Sequence, residues 1–187
     1  MKSLIARSSG LALAIAVGTA FLVAPSAGLA QQKFKYSFKS PEGISKYTAQ
    51  HALDVGDVPG HQVRVASLHA KFGDVAPEYD GVKAVEEFTS ISSDYINGSG
   101  RFVNYAVTHM ANGDKVFGRI EGLSQTTIAA DGARKTSYTF VSTLTGGTGK
   151  FATLRGTLRG SGSTDFKTGV TANPTEGEYW FEKPAGN

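Results

Sequence analysis

The chain has 187 residues, no cysteine, 23 glycines and a formal net charge of +3. Without cysteine, the protein has no disulfides, no thiolate zinc site and no thiol chemistry. Because the positive charge is small, the composition gives no support for nucleic acid or an anionic membrane as a partner.

The first 30 residues have the pattern of a secretory signal peptide. Lys2 and Arg7 supply positive charge, residues 11–23 are apolar, and Gly28-Leu29-Ala30 places small residues before a cleavage site. The apolar stretch is shorter than the roughly 20 residues of a membrane-spanning helix, so no integral membrane segment is expected after cleavage. We therefore predict a periplasmic or secreted protein that begins at Gln31.

The remaining residues, 31–187, are predicted to form one domain. They contain 17 basic and 16 acidic residues, a net charge of +1. Short alternating segments separated by turn residues are typical of an all-β protein. The predicted strands are 48–55, 62–72, 82–92, 101–110, 115–127, 134–144, 151–158 and 175–183. The segment 82–88 is equally compatible with a short helix.

Eight strands with no long linker favour a single closed antiparallel β-barrel with a central cavity. Closure would also remove the exposed strand edges on which other chains could pair. A two-sheet β-sandwich is the alternative architecture.

The turns predict the register between strands. Asn112-Gly113 and Asp131-Gly132 are strong signals for two-residue hairpin loops, in which both central positions need positive φ. Such loops fix the register and place Asn104 opposite Glu121 and Phe140 opposite Leu123. Closing the glycine turn at 146–149 symmetrically places Phe140 opposite Arg155.

These registers predict one bulky, aromatic face with a few charges, which we assign to the interior, and one smaller β-branched face. The candidate ligand-binding residues on the aromatic face are Asn104, Arg119, Glu121, Tyr138, Phe140 and Arg155. An internal Arg–Glu ion pair that only fixes packing is the alternative to arginines that bind a ligand acid. Catalytic residues are not assigned.

The most distinctive motif is Gly146-Gly-Thr-Gly-Lys-Phe151, followed by Arg155-Gly156. It is not a phosphate-binding P-loop, because Leu144 and Phe151 stand where that motif needs glycine and serine or threonine. We interpret it as a tight glycine turn between two strands.

This motif, GGTGKF…RG, resembles the segment that dirigent proteins carry as GGTG-x-F…ARG and that allene oxide cyclases carry as GGSG-x-F. The ending at 176–182, EGEYWFE, is similar to that of many exported bacterial proteins. The resemblance implies an eight-stranded barrel with a ligand cavity, and Arg155 matches the arginine of the ARG segment. Lys150 stands where dirigent-type sequences often carry an aspartate implicated in acid chemistry, so the resemblance supports a pocket more than that chemistry.

No cofactor and no metal site are predicted. His51, Asp54, Asp57 and His61 lie close together in sequence, and a loop metal site there is the alternative to an ordinary turn. A G-x-S-x-G elbow for serine hydrolysis is absent from the sequence.

The primary hypothesis is an exported barrel that binds a small, partly hydrophobic molecule in its lumen, with an acidic ligand as one option and self-association as a further property. The first alternative is a cyclase or isomerase of the allene oxide cyclase or dirigent type, in which Arg119, Glu121 and Arg155 steer charge and protons. The second is a structural, envelope-associated protein with a packed barrel. An inward-facing carboxylate with a raised pKa would favour the enzyme.

Overall fold

The computed structural model describes residues 31–165 and 169–183, so the predicted signal peptide lies outside the described residues. The all-β prediction is confirmed, and each predicted strand is present, including 82–88. The strands are β1 Lys33–Phe38, β2 Ser45–Asp54, β3 His61–Lys71, β4 Glu78–Tyr79, β5 Val82–Ile96, β6 Ser99–Met110, β7 Lys115–Ile128, β8 Arg134–Gly147, β9 Leu154–Asp165, β10 Gly169–Ala172 and β11 Thr175–Phe181. A 3-10 helix, Gly149–Phe151, joins β8 to β9. The sequence analysis missed β1, β4 and β10.

The predicted closed barrel is wrong. The strands form an antiparallel sheet in the order β1-β11-β9-β8-β7-β6-β5-β3-β2, with β10 beside β9 and β4 beside β5. The two edge strands, β1 and β2, do not pair within the described residues, so the sheet is open and sandwich-like. Phe38 of β1 packs on Phe72 with ring centres 5.9 Å apart, and Tyr36 stacks on Tyr79 at 5.1 Å. β1 therefore pairs with β11 on one edge and packs its rings on Phe72 and Tyr79, and no ladder joins it to β2 in the described residues.

The Asn112-Gly113 and Asp131-Gly132 loops each contain three residues, not the two predicted. Met110 donates its N–H to Asp114 O, and Ala129 donates to Ala133 O, across the loop. Only the glycine of each loop has positive φ. The side chains explain this, because Asn112 Oδ1 accepts from the Asp114 N–H at 3.1 Å and Asp131 Oδ1 accepts from the Ala133 N–H at 2.9 Å. Both residues therefore stay in ordinary backbone conformations.

Two other dipeptides of the same kind do form two-residue loops. Asp80-Gly81 and Asn97-Gly98 have positive φ at both positions, and their flanking residues pair directly. The same sequence signal thus produces two loop lengths in one chain.

The longer loops change the register, and a slip of one residue moves a side chain to the other face. Asn104 lies opposite Ile120 rather than Glu121, and Phe140 lies opposite Gly122 rather than Leu123. Phe140 also lies opposite Gly160 rather than Arg155, because the 3-10 helix lengthens the β8–β9 connection. The three predicted pairings are therefore wrong.

The inner face is the side of the sheet on which buried residues collect, and the outer face is the other side. At one end of the inner face, which we call the packed end, Phe151 and Leu154 are 0% exposed and Val116 is 1% exposed. The packed end consists of Ala70, Phe72, Tyr79, Ala84, Met110, Val116, Leu144, Phe151, Leu154, Leu158 and Tyr179.

The glycine motif completes the packed end. The Asp114 carboxylate accepts from the Lys150 N–H at 3.1 Å, and the Lys150 ammonium lies 3.0 Å from the Asp80 carboxylate. A Cβ on Gly149 would overlap the Asp114 carboxylate. The turn thus holds Phe151 in the core, which is a structural role for the GGTGKF segment.

Candidate functional site

The other half of the inner face is partly exposed and is the candidate site. We call it the open end, and its members are Arg64, Ile91, Tyr95, Phe102, Asn104, Ile120, Tyr138 and Phe140. Rows of cross-strand neighbours place them side by side. One row joins Arg64, Ser93, Phe102, Gly122 and Phe140, and the next joins Ile91, Asn104, Ile120 and Ser142.

Asn104 carries the main polar feature of the open end. Its Oδ1 atom is buried, and it has no hydrogen-bond partner in the described part of the chain. Its neighbours across the sheet, Ile91 and Ile120, are apolar. A buried acceptor without a donor costs about 1–3 kcal/mol, so a donor brought by a ligand would relieve that cost.

The aromatic rings of the open end lie flat against the sheet. A Cβ on Gly122 would overlap the Phe102 ring, and a Cβ on Gly160 would overlap the Phe140 ring. Tyr138 stacks with Phe140 at a ring-centre distance of 6.4 Å. Glycines thus let the rings cover the backbone and form a flat apolar floor.

Arg64 is the cationic group of the open end. Its Nη2 donates to Gln50 Oε1 at 3.1 Å. Burial raises the pKa of the nearby Tyr95 phenol, and the positive charge of Arg64 opposes that rise only in part. Among residues 31–165 and 169–183, Arg64 has no ion pair with a carboxylate.

Glu87 carries a carboxyl group on the inner face, near the packed end. A β-bulge between Ala84 and Glu86 turns Glu87 inward and Glu86 outward. The Thr108 hydroxyl donates to Glu87 Oε2 at 2.9 Å, and the Thr89 hydroxyl donates to Oε1 at 3.2 Å. Burial raises the pKa of Glu87, and the two hydroxyl hydrogen bonds oppose that rise only in part.

Two tyrosines lie near Glu87. Burial raises the pKa of Tyr36 to about 12, and the Glu87 charge adds to the rise. Burial also raises the pKa of Tyr79, which hydrogen-bonds to Tyr36. The region between β1, β4 and β5 therefore favours protonated, neutral groups.

The six predicted ligand-binding residues do not share one face. Asn104, Tyr138 and Phe140 lie on the inner face, in the open end. Arg119 and Glu121 form an exposed ion pair on the outer face, where Arg119 also contacts Tyr105. The shifted register at the Asn112-Gly113 loop accounts for this separation.

Arg155 also lies on the outer face and is tied to the protein's own groups. Its Nη1 donates to Thr145 O at 3.0 Å and to Leu154 O at 2.8 Å. Its Nη2 lies 3.0 Å from the Glu182 carboxylate, at the position after β11. The prediction that Arg155 shares the aromatic face and lies opposite Phe140 is therefore wrong.

Three of the four histidines lie in two clusters on the outer face. His61 lies between Asp57 at 2.6 Å and Asp94 at 2.7 Å, and hydrogen bonds to these carboxylates raise the pKa of His61. Glu86 accepts from His69 at 2.8 Å and His109 at 3.2 Å.

Neither histidine cluster forms a metal site. In the described ranges, no three His, Asp or Glu side chains converge to hold a metal ion. Of the four residues in the alternative loop site, Asp57 and His61 meet, whereas Asp54 bonds Gln62. Nor does any helix in those ranges have the length and apolar character that crossing a membrane requires.

The depressions on the surface do not amount to a central cavity. One of about 780 Å³ runs along β1, β9 and β11 and is lined by charges of both signs, among them Lys35, Arg159 and Glu178. Another, of about 440 Å³, lies over Gly122 and Gly160 on the outer face, where Glu121, Leu123 and Arg159 are among the residues that line it. Neither depression lies on the open end, which is a partly exposed surface rather than an enclosed lumen.

Comparison with known proteins gives no match. No protein-family model, no curated protein and no solved structure matches this chain. The resemblance of the GGTGKF segment to dirigent proteins and allene oxide cyclases therefore stays a prediction.

Sequence reasoning missed Arg64 and Glu87. A signal for Arg64 was present, because it alternates in phase with Ala66, Leu68 and Ala70, the apolar face of β3. Glu87 carried no such signal, since the bulge that separates it from Glu86 is invisible in the sequence.

Proposed function

We propose that the domain binds a small, partly hydrophobic molecule on the open end of its inner face, and that it does so in the periplasm or outside the cell. The observation that carries the proposal is the buried, unpartnered Asn104 Oδ1 beside a floor of partly exposed rings. Sites for small molecules combine such apolar surface with a few placed polar groups. The preferred ligand therefore has an apolar body and a hydrogen-bond donor.

A neutral naphthyl amide, 2-naphthamide, is a suitable probe because its ring matches the floor and its NH₂ group offers a donor. Asn104→Leu should weaken its binding about fivefold, the worth of one neutral hydrogen bond. The same change should leave the free protein at least as stable, because it removes an unsatisfied buried acceptor. Fluorescence titration and urea unfolding measure the two effects.

Gln125→Leu is the matched control, since Gln125 is an exposed amide on the outer face of β7. It should change neither the affinity nor the stability. If 2-naphthamide does not bind the wild-type domain, or binds Asn104→Leu as tightly as wild type, the proposal fails. The remaining interpretation is then a structural, envelope-associated protein.

Glu87 favours a second function, acid–base catalysis of the cyclase or isomerase kind. A carboxyl with a raised pKa, next to Tyr36 and between two hydroxyl donors, is suited to donate a proton and then to take one back. Arg119, Glu121 and Arg155 have no part in this proposal, because they lie on the outer face. A carbon-13 NMR titration should find Glu87 titrating above ordinary glutamates. An ordinary pKa would remove the basis for catalysis.

Export is proposed from residues 1–30 alone. Sequencing the N-terminus of protein recovered from the periplasm or the medium should give Gln31 as the first residue. A cytosolic protein that begins at Met1 would contradict it.

A further inference from the structure

We propose that Arg64 is an anion-binding residue and that the ligand of the open end is an organic carboxylate with an apolar body. The inference rests on the proposed function and adds the charge of the ligand. It follows from three features of Arg64: its missing counter-charge, its position beside the aromatic floor, and the geometry of its free donors.

Among the arginines without an ion pair in the described ranges, Arg64 is partly buried, whereas Arg101, Arg134 and Arg159 are exposed. Arg119 pairs with Glu121 and Arg155 pairs with Glu182. Arg64 is partly buried on the inner face, and its hydrogen bond within the described ranges goes to the neutral amide of Gln50. A partly desolvated cation without an anion is unfavourable, and a ligand anion would compensate it.

Two carboxyl groups on the same face of the sheet as Arg64 already have hydrogen-bond partners. Asp54, on β2, accepts from the Gln62 amide at 2.9 Å. Glu87 is held by two threonine hydroxyls and has a raised pKa, which disfavours its charged form. Neither forms an ion pair with Arg64 at 4.0 Å or less. A ligand carboxylate would therefore supply the counter-charge that the described residues do not bring to Arg64.

The position of Arg64 sets the size of the ligand. In its row, Ser93 and then Phe102 follow on the next two strands. Strands lie about 4.8 Å apart, so Phe102 is about 10 Å from Arg64 across the sheet. Ile91 and Tyr95 flank Ser93 on the same face of β5. A carboxylate at Arg64 thus carries a body about two strands long across Ser93 onto the Phe102 ring.

The guanidinium suits a carboxylate in particular. With one Nη2 hydrogen directed to Gln50, the remaining N–H groups still form a planar fork that fits two carboxylate oxygens. The Gln50 contact fixes the guanidinium and lowers the entropy lost on binding.

The test compares two probes with the same naphthyl ring, the 2-naphthoate anion and neutral 2-naphthamide, at neutral pH. Only the amide can donate to Asn104, so a preference for the carboxylate has to outweigh that hydrogen bond. Wild-type protein should bind the carboxylate about tenfold more tightly than the amide, as expected for charge-assisted hydrogen bonds. Arg64→Gln should abolish that preference while leaving the affinity for 2-naphthamide unchanged. Arg119→Gln, the matched control on the outer face, should keep the preference.

Each outcome decides the proposal. If the amide binds and the carboxylate binds no more tightly, Arg64 is not an anion site, although the proposed binding surface stands. The proposal is equally overturned if Arg64→Gln keeps the preference, or if Arg119→Gln removes it. Failure of both probes to bind the wild type contradicts the binding surface and the role of Arg64 together.

Discussion

The packed end and the open end of the inner face are built from the same strands, yet their side chains differ. β6 contributes buried Met110 to the packed end and partly exposed Phe102 to the open end, and β8 contributes Leu144 and Phe140 in the same way. The 3-10 helix and the β3–β5 connection cover only the packed end. A single sheet thus buries the side chains of one end and leaves those of the other partly exposed, and it is at the partly exposed end that we propose ligand binding.

The largest difference should appear when one phenylalanine is removed from each end. Phe151→Ala should cost about 3–5 kcal/mol in the free energy of unfolding, because Phe151 is fully buried. Phe140→Ala should cost clearly less, since Phe140 is partly exposed. Urea unfolding of both variants measures the difference. Equal losses would mean that the open end is as much a core as the packed end.

Two glycines of β7 sharpen the comparison. A Cβ on Gly122 would overlap the Phe102 ring and the Thr139 carbonyl oxygen, so Gly122→Ala should destabilise the domain by about 1–3 kcal/mol. Gly118 has its nearest neighbour, Ser142 Oγ, at 3.6 Å from a built Cβ, so Gly118→Ala should be tolerated. Thermal unfolding distinguishes them. A harmless Gly122→Ala would show that the rings do not lie on the backbone.

Glu87 should make stability depend on pH. Its folded-state pKa is raised, so wild-type stability should fall as pH rises from the unfolded-state pKa of glutamic acid through the higher folded-state pKa. Glu87→Gln should remove that fall. The stability of the variant relative to wild type should therefore be greater at neutral pH than at acidic pH. Glu121→Gln, on the exposed outer face, should follow the wild-type curve. Parallel curves for wild type and Glu87→Gln would mean that the carboxyl is solvated.

The smallest effect is expected on the outer face. Arg119 and Glu121 form an exposed ion pair there, and such pairs contribute little in water. Arg119→Gln should leave the urea midpoint and the binding of 2-naphthamide unchanged. A loss of affinity would mean that Arg119 contacts the ligand, which contradicts the register that places it on the outer face.

The fold could be predicted from the sequence only within single strands. Alternation along β8 correctly placed Tyr138 and Phe140 on one face. Alternation along one strand does not fix its register against the next strand, because that register is set by the length of the connecting loop. Asn112-Gly113 and Asn97-Gly98 have the same signal but different loop lengths, because Asn112 hydrogen-bonds the backbone N–H two residues on.

The prediction of the candidate site was limited by the same uncertainty about the register between neighbouring strands. Asn104, Tyr138 and Phe140 were predicted as site residues and lie in the open end, whereas Arg119, Glu121 and Arg155 moved to the outer face with the register. The prediction of a closed barrel was wrong for a different reason. β1 was not recognised as a strand, and its rings pack on Phe72 and Tyr79.

A two-dimensional nitrogen-15 NMR titration with 2-naphthamide tests the central claim most directly, because it locates the bound molecule residue by residue. Binding on the open end predicts shifts of the backbone amides of Ser93, Phe102 and Asn104, with little change at Phe151 and Leu154 in the packed end. Shifts confined to the outer face, around Arg119 and Glu121, or no shifts at saturating probe, would contradict the assignment of binding to the open end.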